Sequence, residues 1–288
     1  MASRLARKEQ ARAARLEHER AAAATALRRR RLALFSGIIA GVAVALVAVI
    51  TLSGAGASKP SGTPNSSINR AAVQRVEAML AGLPQGSGNV LGNESAPVTV
   101  TEFADLQCSA CAAFDLPVGV SNPAGITGTG IIETLIREDV ATGRVKLVYK
   151  SLETATSNGA TPGVWSTQQA AVNAAGLQRK AWNYAELFYN EQGTEGTDYV
   201  TMPYLEGLAK QIPGLDYKRW LRDLTAEPSI RQQVIRDNTQ GTQLDSGRAA
   251  TPTIWIKGPK GQGSYQGLTE PTAAQQIAVI QRAIAAAA

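Results

Sequence analysis

Apolar residues fall into three kinds of pattern along the chain. Residues 32–53, LALFSGIIAGVAVALVAVITLS, carry no charge over 22 positions. A helix needs about 20 apolar residues to span the hydrocarbon layer, whereas a cleaved signal core usually has about 7 to 15, so this stretch predicts a retained single-pass anchor. A second pattern, apolar positions at helical spacing, places Ala72, Val76, Met79 and Leu83 on one face of a short helix over 68–83. The same reasoning predicts one long helix over 166–192, with Ala170, Val172, Leu177, Trp182, Leu187 and Phe188 apolar. Shorter helices follow at Met202–Gln211, 217–224 and 229–245, and a last one runs from Pro271 to the end, with Ile277, Ile280 and Ile284 on one face. A third pattern, short runs rich in β-branched and aromatic residues, predicts strands at Val98–Ala104 (VTVTEFA), 144–149 (RVKLVY) and 253–257 (TIWIK), with a turn over 258–263.

Strands, then a block of helices, then strand again predict a mixed α/β domain with a helical insertion at about 160–247. The Gly-, Ser- and Pro-rich stretch SGAGASKPSGTPNSS, residues 53–67, predicts a flexible tether. The expected organisation is a tail over 1–31, a transmembrane helix over 32–53 and a linker over 54–67. A helical extension over 68–88 and one folded domain over 89–288 complete it. About 200 residues suffice for a single core. No internal repeat is visible.

Charge sharpens this picture. The chain has a net charge of +6, which at first suggests nucleic-acid binding. Ten basic residues against three acidic ones lie in residues 1–31, and the remainder carries 19 basic and 20 acidic residues. A near-neutral body without a basic stripe is a poor match for phosphate backbones. Basic residues flanking a membrane span instead stay on the cytoplasmic side, which places residues from about 54 onward outside the membrane. Ala55-Gly56-Ala57 as a signal-peptidase site, or Arg29-Arg30-Arg31-Leu32 as a loose twin-arginine signal, would also export the body. The tail itself has no large apolar face and reads as a solvated or headgroup-associated helix.

Both cysteines of the chain, Cys108 and Cys111, sit in FADLQCSACAAF at residues 103–114. A structural disulfide is the first reading to weigh for an exported protein. A bridge between residues three apart closes almost no loop, however, so it would contribute little stability. A zinc site is the second, since C-x-x-C is half of many zinc motifs. The other half is missing: the only histidine, His18, is in the tail, and there is no third cysteine. The same absence excludes Ser-His-Asp or Cys-His catalysis in the exported body. A redox couple fits. At the start of a helix, residues i and i+3 have Cβ atoms about 5–6 Å apart, and the helix N-terminus favours a thiolate on Cys108, with Cys111 one turn deeper.

Three further residues belong to this expectation. Glu102 shares a strand face with Val98 and Val100; it either reaches solvent or lies beneath the disulfide, where it can exchange a proton with Cys111. Asp105 is expected to cap the helix or to face water. Thr251-Pro252 precedes a strand, either as an ordinary strand start or as a deliberate cis bond.

Taken together, APVTVTEFADLQCSAC at 96–111, the helical stretch at 168–193 and RAATPTIWI at 248–256 resemble the thioredoxin superfamily, and within it the DsbA-like thiol:disulfide oxidoreductases. The resemblance covers about residues 89–288. It implies a thioredoxin-like core with an inserted helical domain, Cys108 as nucleophile, Cys111 as resolving cysteine and Glu102 as buried acid. Pro252 then falls on the cis-proline and Thr251 on the residue whose backbone pairs with a substrate strand. It also implies exported cysteine-containing proteins as substrates, a membrane quinone-linked thiol oxidoreductase for recycling, and no metal or bound cofactor. Two departures stand out. Ser109-Ala110 between the cysteines matches neither strongly oxidising members nor thioredoxin, and 117–130 (PVGVSNPAGITGTG) interrupts the active-site helix.

The resulting expectation is a membrane-anchored extracytoplasmic thiol oxidase. A reductase or isomerase of the same fold, or a non-catalytic peptide-binding adaptor, are the competing readings.

Overall fold

The computed structural model describes residues 66–244, 249–266 and 270–288. The predicted tail and membrane span, and the linker up to residue 65, lie outside the described residues. Among the described residues no helix is long and apolar enough to cross a membrane.

Five strands form one sheet: β1 (Val90–Leu91), β2 (Val98–Ala104), β3 (Val145–Ser151), β4 (Thr253–Gly258) and β5 (Gly261–Gln266), in the order β1-β3-β2-β4-β5. The β2–β3 pair is parallel; the other three pairs are antiparallel. The expected turn at 258–263 is the tip of the β4–β5 hairpin, so β5 and the two-residue β1 are strands the apolar pattern does not reveal. Both are edge strands: β1 is only two residues long, too short to form a run, and Gly and Gln supply most of β5, which therefore lacks the apolar content that marks a buried strand. Central β2 is buried at every position except Thr99, as a strand covered on both faces should be.

Helix α1 (Ser66–Leu80) starts two residues inside the expected linker and buries Ala72, Val76 and Leu80. It docks through Arg75, which donates to Asn190 Oδ1 at 2.8 Å. Helix α2 (Ser109–Asp115) follows β2 directly, and α3 (Ile131–Leu135) continues into a π-helical turn at Ile136–Val140. Between β3 and β4 lie α4 (Val164–Gly176), α5 (Ala181–Asn190), α6 (Met202–Gln211), α7 (Tyr217–Ala226) and α8 (Pro228–Leu244); α9 (Ala273–Ala287) closes the chain.

The single helix expected over 166–192 is two. Gly176 packs so closely on the β1 loop that a Cβ there would lie 2.1 Å from Asn89 Oδ1, and Arg179 turns the chain through a left-handed conformation, φ 58°. The apolar spacing does not betray the break, because α5 is buried on all sides and no polar face is needed to orient it. Pro271 likewise stands before, not in, the last helix: Thr272 is the N-cap, its side chain accepting from Gln275 N.

Glu102 pairs in register with Tyr149 and Ile254, so their side chains share one face of the sheet. Tyr149 meets Trp182 of α5 edge to face at 6.4 Å, and Trp182 Nε1 donates to Asn89 O. On the other face α8 covers Phe103 and Leu152; a Cβ on Gly241 would stand 2.9 Å from Phe103 Cδ1, which accounts for a glycine inside a helix. Trp182 and Trp220 are fully buried with their N–H groups satisfied, so truncating either to alanine is expected to cost about 3–5 kcal/mol.

Candidate functional site: a dithiol at a helix N-terminus

Strand β2 delivers the chain to Asp105 and Leu106, and α2 begins with Cys108 as its N-cap residue. Cys108 is 6 % exposed, Cys111 is fully buried, and both are free thiols. The N-cap position turns the unpaired first N–H groups of the helix toward Cys108 Sγ. Contact with Cys111, opposed by burial and aided by the Thr251 side chain and the N–H groups of Cys111 and Ala110, brings the Cys108 thiol down to about 7. Burial, and then its neighbour Cys108, push the Cys111 thiol up. Cys108 can therefore hold negative charge at neutral pH, while Cys111 needs a proton.

Thr251 and Pro252 come from the far end of the insertion and stand over this pair. Their peptide bond is cis, and Cys108 Sγ donates to Thr251 O at 3.4 Å. Thr251 Oγ1 shares a hydrogen bond with Thr154 Oγ1 at 2.6 Å, which fixes the loop from the β3 side. Ala110, Phe114, Thr129, Ile131 and Pro252 line a cavity of about 210 Å³ that brings α2 and the cis-proline together. A larger cavity, about 570 Å³, lies between Asn89, Asn173 and Asp237, and neither cysteine lines it.

Glu102 does not reach solvent. It is 1 % exposed, and no N–H or O–H group donates to either of its oxygens. Burial, then the nearby carboxyl of Asp115, holds its own carboxyl well above the usual range. Asp115 lies four residues after Cys111 on α2, a spacing that puts both on one helix face; that signal was present in the sequence and points to a second acid beneath the couple.

Asp105 neither caps α2 nor faces water. It is fully buried, and its carboxylate accepts from the N–H groups of Gln107, Thr154 and Thr156, from Gln168 Nε2 and from the Thr156 hydroxyl. Burial pushes its carboxyl up while these donors pull it down. Its work is to tie the turn before Cys108 to the chain after β3.

Gln192 is a residue that sequence reasoning missed. It follows α5, is 1 % exposed, and its Nε2 donates to Leu106 O at 2.7 Å and Cys108 O at 3.1 Å. Asn122 Nδ2 donates in turn to Gln192 Oε1, and Ala124 N to Gln192 O. The segment 117–130 is thus folded against the turn that carries Cys108. It closes on itself through a Ser121–Thr127 bridge, and Gly128 lies so close to the end of α2 that a Cβ would sit 2.2 Å from Leu116 O. No local periodicity encodes these contacts.

A near-neutral nucleophilic thiol, a buried partner thiol and a neighbouring buried acid suit thiol–disulfide exchange. The comparisons agree. Residues 85–270 match a family model described as Thioredoxin. The chain is 23% identical to a probable disulfide bond formation protein D of Bacillus anthracis over 62% of this chain and 73% of that protein. It is 24% identical to disulfide bond formation protein D of Bacillus subtilis (strain 168) over 62% and 71%. The fold superposes on the crystal structure of oxidised BdbD from Bacillus subtilis with a TM-score of 0.52 at 20% identity, covering 70% of this chain and 97% of that one. With a matching family model over most of the described domain, the chain belongs to the thioredoxin family and is a thiol:disulfide oxidoreductase.

Proposed function

We propose that this protein is a thiol oxidase that donates a Cys108–Cys111 disulfide to cysteine-containing exported proteins. The observation that carries exchange at this pair is the asymmetry of the two thiols. Cys108 is brought down to about 7 and Cys111 is held up by burial. A Cys108 thiolate available at neutral pH beside a protonated Cys111 supports exchange in either direction, since a value of about 7 is also that of thioredoxin, a reductant. The direction is supported by two relatives that bear the name disulfide bond formation protein D.

In the proposed cycle a substrate thiolate attacks Cys108 Sγ of the disulfide. The sulfur–sulfur bond breaks and Cys111 leaves with the electron pair, taking a proton from Glu102. A second substrate thiolate then attacks the substrate sulfur of the mixed disulfide, and Cys108 leaves as a thiolate. Substrate is oxidised by two electrons and the Cys108–Cys111 pair is reduced by two. Thr251 offers main-chain groups to an extended substrate segment, and Pro252 packs beside the reacting sulfurs.

The uncharged stretch 32–53, with basic residues before it, supports a single-pass anchor in the cell membrane with the catalytic domain outside. Recycling by a quinone-linked thiol oxidoreductase in that membrane completes the reading.

The test is the reduction potential of the pair in the full-length protein, in detergent, equilibrated with glutathione. A value toward about −120 mV supports the oxidase; a value near about −270 mV makes the protein a reductant and overturns the proposed direction.

A further inference from the structure

Three carboxyl groups meet beneath the cysteines on three different elements. Glu102 comes from β2, Asp115 from the last residue of α2 and Glu186 from α5, and none is more than 1 % exposed. Asp115 stands within hydrogen-bond reach of both Glu102 and Glu186. Yet no N–H or O–H group donates to either oxygen of Glu102, to either oxygen of Glu186 or to Asp115 Oδ2.

Buried carboxylates without donors are costly, because each ion gives up its hydration with nothing in return. A contact between two carboxyls becomes a hydrogen bond only when one of them carries a proton. The groups facing the nest give no countercharge. They are Cys108 and Cys111 on α2, Tyr149 on β3, Tyr189 on α5 and Asp105 at the end of β2. The charged groups of α1 that face α5 are engaged elsewhere, Arg75 by Asn190 and Glu77 by Asn183. Tyr189 Oη is fully buried in the same nest, in contact with the Tyr149 hydroxyl, and brings no charge to it. Burial is the largest cause, and charge on the other acids a further one, for holding all three carboxyls well above the usual range.

We propose that Glu102, Asp115 and Glu186 form a shared proton store for Cys111, in which Asp115 and Glu186 are positioning residues that act through Glu102. The inference rests on thiol–disulfide exchange at the Cys108–Cys111 pair and on the proton role of Glu102, but not on the direction of electron flow. When the disulfide opens, Cys111 leaves as a thiolate in a site sealed from water. Glu102 passes it a proton, Asp115 passes one to Glu102, and the single negative charge left behind is shared by hydrogen bonds across three carboxyls. On reoxidation the Cys111 proton returns by the same route as its sulfur re-forms the disulfide. One proton moves each way and none has to cross the buried site. A lone acid could donate once, but its bare carboxylate would then face only Cys111; the second and third acids supply the hydrogen bonds that hold the charge.

The test is infrared difference spectroscopy of the full-length protein, reduced minus oxidised, at neutral pH. Loss of a protonated-carboxyl C=O band on reduction is expected in the unaltered protein, with a smaller or shifted band in Glu186→Gln and Asp115→Asn. The rate of disulfide opening by glutathione is then followed against pH in the same proteins. Both variants should slow it by at least about tenfold above pH 7, while the thiolate absorbance of Cys108 still titrates as before. An unaltered protein whose carboxyl bands do not change on reduction overturns the store without need of any variant. Variants with the unaltered pH profile overturn the roles of Asp115 and Glu186. A reducing potential would defeat the oxidase reading and leave these results standing, because the store serves both directions.

Discussion

Cys108 and Thr251 are 143 residues apart in the chain, and the thiol of the first donates to the main-chain carbonyl of the second at 3.4 Å. Everything between them, including the entire helical insertion, is routed so that the residue before Pro252 returns to the nucleophile. The contact places a peptide-edge acceptor against the sulfur proposed to take the attack of a substrate thiol.

The asymmetry of the couple predicts opposite phenotypes for two serine variants. Cys111→Ser keeps the nucleophile and lacks the resolving sulfur, so it should accumulate mixed disulfides with thiol substrates, visible on non-reducing gels. Cys108→Ser should neither trap substrate nor oxidise it above background. Trapping through Cys111 in the Cys108→Ser protein would reverse the assignment.

Thiolate absorbance should show Cys108 titrating near 7, and Cys111→Ser should move that midpoint upward, since contact with Cys111 is the largest cause of the shift. A thiol lowered from 9.0 to about 7 on folding contributes stability that is complete above the unfolded value and lost as pH falls through the folded one. The reduced protein should thus gain on the oxidised protein by roughly 3 kcal/mol between pH 6 and 9. Urea unfolding of both forms across that range measures it; a constant difference would contradict the shift.

In the oxidised protein Cys108 no longer titrates, and the buried carboxyls take over. Their folded values lie above the unfolded ones, so they contribute stability at low pH that is lost as pH rises. Melting temperature of the oxidised form should fall from about pH 5 toward pH 9 and fall less in Glu186→Gln. An equally steep decline in the variant would mean Glu186 is already ionised.

Asp105→Ala should be among the most destabilising single changes outside the apolar core. It strands the buried N–H of Thr156 and the Gln168 amide, and each such orphan costs about 1–3 kcal/mol. Chemical denaturation should show a loss of at least about 2 kcal/mol; a near-neutral change would show that the turn re-forms its bonds elsewhere.

Gln192→Ala removes the donor to Leu106 O and Cys108 O and the acceptor for Asn122. Destabilisation of about 1–3 kcal/mol is expected, together with a shifted Cys108 titration because the turn holding its sulfur loosens. Gln192→Glu should not rescue, since a carboxylate cannot donate to those carbonyls. Full rescue by glutamate would show that Gln192 merely fills space.

Much of this protein was legible in the chain itself. The β-branched runs located β2, β3 and β4, and the two cysteines three apart after a strand narrowed the chemistry to exchange, because so short a loop makes a poor staple, there is no third cysteine, and the one histidine lies in the N-terminal tail. These signals are local: they depend on spacing within a strand or a helical turn. What only the tertiary structure decided depends on contacts between distant segments. The break at Gly176 follows from its approach to Asn89, and the burial of Asp105 from donors some 50 to 60 residues further on. The same holds for the grip of Gln192 on the Cys108 turn and the meeting of Glu102, Asp115 and Glu186. An acidic residue in a sequence reads as solvated by default; only when three elements close over it does desolvation turn it into a group that must hold a proton.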